Sequence, residues 1–62
     1  MTVLVNQYSL ENRCAKIYQD TDGYFVECWE DEQAVKQIDV RDHSMHYAED
    51  VAENWITGII KE

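Results

Sequence analysis

Two β-prone runs, Arg13–Gln19 and Tyr24–Glu30, flank the tetrapeptide Asp20-Thr21-Asp22-Gly23, and this arrangement most narrows what the chain can become. Aspartates form turns because their carboxylates accept nearby backbone N–H groups, and a following glycine supplies a backbone conformation that side chains resist. β-Branched and aromatic residues on either side favour paired strands. A hairpin closed here sets Ile17 across from Val26 and Ala15 across from Cys28, gathering small and aliphatic groups on one face. The other face receives Cys14, Lys16, Tyr18, Phe25, Glu27 and Trp29.

After a turn at Asp31-Glu32-Gln33, alternation resumes over Ala34–Arg41, with Ala34, Lys36, Ile38 and Val40 on one side. Pairing Val26 with Ile38 and Tyr24 with Val40 keeps the aliphatic groups on the face of Ile17, and Lys36 can extend its ammonium to water. Ser44 offers the hydroxyl of a helix N-cap, and Glu49 and Asp50 suit the positive end of a helix. Tyr47, Ala48, Val51, Ala52, Trp55 and Ile59 recur at helical spacing, which predicts a helix over about Met45–Thr57. Gly58 would end it, with Ile59 and Ile60 folding back as an apolar cap.

The expected fold is therefore α+β: a three-stranded antiparallel meander followed by one C-terminal helix packed on one sheet face (β-β-β-α). Ile17, Val26, Ile38, Val51 and Trp55 should share its core. Residues 1–62 read as a single domain, in which 1–12, with Val3-Leu4-Val5 and Tyr8, serve as an arm or an edge strand.

Composition then bounds function. Five Lys or Arg stand against thirteen Asp or Glu, a formal charge of −8, which repels phosphates and disfavours direct nucleic-acid binding. The longest apolar run falls well short of the roughly 18 residues that span a bilayer, and Met1–Val5 lacks the basic and apolar segments of a secretory signal. The expectation is a cytoplasmic protein with reduced thiols and no membrane association.

Candidate chemistry is sparse. His43 and His46, with Asp39, Asp42 and Glu49 nearby, include metal-ligand types, but their spacing gives no reason to converge. Cys14 and Cys28 fall on opposite faces of the hairpin, which excludes a disulfide between them, and no base adjoins Cys14. The carboxylate pairs lie in turns and on an exposed helix face, where no pocket separates their pKa values. No cofactor, no metal and no enzyme activity are expected.

The aromatic side chains are in surplus. One helix covers one sheet face, so Tyr18, Phe25 and Trp29 call for cover by residues 1–12, by a second copy or by another protein. The chain is expected to be a non-catalytic acidic protein-interaction module, self-associating as a homodimer through this face. Glu49, Asp50 and Glu53 would form an acidic rim that selects basic surfaces. In the alternative, these carboxylates imitate phosphates, and the chain is a nucleic-acid mimic that binds a basic DNA- or RNA-binding host protein.

The runs Ala15–Val26 and Tyr47–Trp55 resemble small uncharacterised proteins of cyanophages related to the large tailed phages. That resemblance implies a protein made in the host bacterial cytoplasm, with a host or phage protein as partner. The order of strand, Asp-x-Asp-Gly turn, aromatic strand and late Ala-rich helix is also similar in outline to HicB-type antitoxins, which pair a small αβ domain with a toxin. The chain lacks their Pro-Gly-Cys segment and appended DNA-binding region. Integrase arm-binding and plant AP2-type domains share the β-β-β-α order, but read DNA with a basic sheet.

Overall fold

The computed structural model describes residues 1–58. Strands β1 (Val3–Leu10), β2 (Arg13–Asp20), β3 (Gly23–Glu30) and β4 (Gln33–Asp39) precede helix α1 (Met45–Ile56). They form one four-stranded antiparallel sheet in the order β1-β2-β3-β4. The class is α+β, but the meander has four strands where three were expected. Residues 3–10 lie alongside β2 as an edge strand, because Glu11 adopts a φ of 56° and lets Glu11-Asn12 close a two-residue turn between Leu10 and Arg13.

The central hairpin has the expected register, with Ile17 opposite Val26 and Ala15 opposite Cys28, and Val26 in turn faces Ile38. One correction concerns Ala34. Asp31 and Glu32 both take positive φ (55° and 65°), and the tight turn they make pairs Glu30 with Gln33. That pairing is one residue out of step with Val26–Ile38, and a bulge between Cys28 and Trp29 absorbs the offset. Ala34 therefore faces Trp29 on the side away from the helix, not the side of Lys36 and Ile38.

Ser44 caps α1 as expected, its hydroxyl accepting from the Tyr47 N–H at 3.4 Å. The helix ends at Ile56, and Glu49 and Asp50 lie beyond its first turn rather than at its positive end. Its buried residues are Ala48, Val51, Ala52 and Trp55. The two alanines bring the helix close to Ala15, Ile17, Val26, Cys28 and Val40, with Tyr8, Tyr24, Ile38, Met45 and Ile56 packed around this core. Tyr47 is not among them; it is 45% exposed and stacks on His43 at 3.9 Å. Arg13 fastens the far end of the helix to β2, donating to the Trp55 carbonyl at 2.8 Å with its guanidinium 4.8 Å over the indole. The expected cap by Ile59 and Ile60 lies outside the described residues. Among the described residues, no helix is long and apolar enough to cross a membrane.

Candidate functional site

The helix lies on one side of the sheet, and strand alternation sends the remaining side chains to the other. Pairing across the strands sorts that helix-free face into three rows. Leu4, Tyr18, Phe25 and Asp39 form the first; Gln7, Lys16, Glu27 and Gln37 the second; Ser9, Cys14, Trp29 and Ala34 the third. Tyr18, Phe25 and Trp29 thus share a face, as the sequence implied, but a charged row divides them.

In the first row, the Tyr18 and Phe25 rings stack with centroids 5.3 Å apart and an interplanar angle of 19°. The Arg41 guanidinium lies 4.9 Å over Phe25, held by Asp20 at 2.7 Å and by Asp39 at 3.3 Å. Phe25 is left only 9% exposed. Hydrogen bonding from Arg41 is the main reason that the Asp20 carboxyl is lowered to about 2, and the same contact raises Arg41. In the third row, the Lys16 ammonium sits 4.4 Å over the Trp29 ring, and the indole N–H donates to Glu27 Oε1 at 2.8 Å. Cation–π contacts of this kind cover an aromatic surface while leaving the cation in water.

These contacts correct the expectation that all three rings need cover by residues 1–12, by a second copy or by another protein. Phe25 is buried by Tyr18 and Arg41 of its own chain, whereas Tyr18 and Trp29 remain half-buried. Residues 1–12 do not fold across the rings; they pair beside them and add Leu4, 48% exposed, to the end of the Tyr18–Phe25 row. The sequence placed Lys16 on this face but not its contact with Trp29, and it did not place Leu4 or Arg41 in this surface. The parity of Lys16 with Tyr18 was visible, but the placement of Leu4 needed β1, and that of Arg41 needed the chain path beyond β4.

Glu49, Asp50 and Glu53 do not rim this face. They sit on α1, across the sheet, where their charges add to partial burial in raising the Tyr8 phenol on β1. The sequence-derived site therefore separates into two surfaces: an aromatic open face and an acidic helix beside the β1 edge.

The remaining candidates are dispersed. His43 stacks on Tyr47, and His46 lies 3.8 Å from Glu49. Among the described residues, no three of the metal-ligating types gather. Burial pushes the Cys28 thiol up to about 11. A depression of about 600 Å³ opens beside Trp29 at the turn end of the open face, with Ser9, Cys14 and Lys16 among its walls. Comparison with known proteins finds no matching family model, no matching curated protein and no matching solved structure.

Proposed function

We propose that the chain is a non-catalytic, acidic protein-interaction module that self-associates by laying its helix-free sheet face on that of a second copy. The observation that carries this reading is the incompletely covered aromatic surface: among the described residues, no second layer lies over Leu4, Tyr18 and Trp29, all incompletely buried. An open sheet face is ordinarily polar, and aromatic residues at such a position are the anchors that protein interfaces favour.

Charge supports a second copy. The chain as a whole carries −8, and most of its surface repels another copy. Across the rows of the open face, Lys16 and Arg41 offset two of the three charges of Asp20, Glu27 and Asp39, so repulsion between two copies is weaker there than at the turn end, where Glu11, Asp31 and Glu32 gather beside Trp29. A two-fold arrangement lets Lys16 of each protomer meet Glu27 of its partner, at the roughly 10 Å spacing of stacked sheets.

Sedimentation of the intact chain and of Trp29→Glu tests the reading. The intact chain should be dimeric at micromolar concentration and the variant monomeric with an unchanged circular dichroism spectrum, since a carboxylate buried without a partner is costly. A monomeric intact chain across that range would overturn it.

A further inference from the structure

The outer edge of β1 is a second surface, which adjoins the aromatic face at Leu4. Sheet edges are commonly blunted by lysine, proline or a covering element, because unpaired backbone groups recruit other strands. The eight residues of β1 contain no formal charge and no proline. Val3, Leu4 and Val5 are 51, 48 and 41% exposed. Among the described residues, what blunting there is comes from an irregularity at Val5 and from Asn6. The Asn6 side chain accepts the Gln7 backbone N–H at 2.8 Å and donates to the Tyr8 hydroxyl at 3.2 Å. A backbone N–H held in this way faces away from β2, and by strand alternation the N–H of Ser9 faces the same way.

The helix side of this edge is acidic. Helix α1 packs against β1 as well as β2 and β3, and its Glu49, Asp50 and Glu53 lie near Tyr8, whose phenol is raised by burial and further by these three charges; Glu49 itself is half-buried. A strand added next to β1 sends alternate side chains toward these carboxylates and the others toward Leu4 and Gln7 on the open face. We propose that the β1 edge binds, by strand addition, an extended segment of a partner protein in which Lys or Arg alternates with apolar residues. Main-chain hydrogen bonds supply affinity in this mode, and the alternating side chains supply specificity. A second copy of β1 brings no cation to this edge, and pairing along it would bring a second set of Glu49, Asp50 and Glu53 toward the first. Asn6 sets a threshold, since its amide must release the Gln7 N–H before the ladder can extend.

The test is titration of the full chain with a blocked peptide of alternating lysine and valine, followed by calorimetry and by backbone amide shifts. Saturable binding is expected, with the largest shifts at Gln7 and Ser9. Ser9→Pro removes an outward donor while sparing the β2 ladder, and should abolish binding. Should that variant lose its circular dichroism spectrum, Val5→Lys takes its place, setting a cation on the edge. Asn6→Ala should strengthen binding, and Glu49→Gln with Glu53→Gln should weaken it by roughly fivefold. Equal binding of a peptide with proline in place of valine, or undiminished binding to a folded Ser9→Pro chain, would reduce the effect to general charge attraction and overturn the proposal. So would dissociation of a dimer by Ser9→Pro without peptide, which would place a second copy on the edge. Trp29→Glu, as a monomer, should still bind the peptide saturably with the largest shifts at Gln7 and Ser9, so failure at the edge and failure at the aromatic face are distinguishable.

Discussion

Gly23 is the residue at which the smallest change should do the greatest harm. Its φ is +132°, and a Cβ built there would lie 2.6 Å from the Arg41 carbonyl oxygen and 3.1 Å from the Arg41 Cα. The opposing chain cannot easily withdraw. The Val40 N–H donates to the Tyr24 carbonyl at 3.2 Å, the Arg41 N–H to Asp39 at 3.0 Å, and the Arg41 guanidinium to Asp20 at 2.7 Å. For Gly23→Ala, an L-residue in so unusual a backbone region costs about 1–3 kcal/mol. Relieving the contact adds an overpacking penalty of about 1–3 kcal/mol. The sum, about 2–6 kcal/mol, compares with about 3–9 kcal/mol for the whole stability of a chain of 62 residues. Urea denaturation followed by tryptophan fluorescence and circular dichroism measures it. With a slope near 1 kcal/mol per molar, the midpoint should fall by about 2 M or more, or the variant should be unfolded from the outset. Thr21→Ala, in the same turn, is the control and should stay within about 0.5 kcal/mol of the intact chain. A Gly23→Ala midpoint equal to that of the control would refute the geometry at the β2–β3 turn and the position it gives Arg41.

Val26 is fully buried between Ile17 and Ile38, and Val26→Ala should cost about 2–3 kcal/mol from lost transfer energy and residual cavity; Ile38→Ala, at a half-buried position, should cost less. Unchanged denaturation midpoints for both would refute the register. Acidification should act through Asp20: its carboxyl titrates at about 2 in the folded chain against an ordinary 3.8, so the Arg41 contact stabilises fully above about pH 4. That contribution disappears as pH falls from there through about 2, and stability measured against pH should lose this slope in Asp20→Asn.

The parts of the fold legible in the sequence were those with strong local chemistry. Asp20-Thr21-Asp22-Gly23 names its own turn, and once it is closed, side-chain alternation leaves Ile17, Val26 and Ile38 one compatible register. Ser44 and the spacing from Ala48 to Trp55 marked the helix. The first strand was obscured because Glu11-Asn12 carries no glycine, and the positive φ at Glu11 is held by the strands it joins rather than by its own preference. The same holds for Asp31 and Glu32, whose tight turn created the bulge that moved Ala34. The aromatic face was visible as a composition of one side of a hairpin. Its internal cover was not, because Arg41 reaches Phe25 only through the chain path that Gly23 permits.

The two proposed surfaces share a residue, and this links them physically. Leu4 belongs both to the exposed edge strand and to the row that continues through Tyr18 and Phe25. A segment added to β1 sets one of its apolar side chains beside Leu4, and so lengthens that row by one strand width of about 4.8 Å. Cations of the same segment face the helix, where they offset Glu49, Asp50 and Glu53 and reduce the net charge that opposes association of two copies. Edge binding would then enlarge and partly neutralise the molecule that dimerises, so the two events should favour each other. By linkage, the dimer must bind the segment more tightly than the monomer by the same factor.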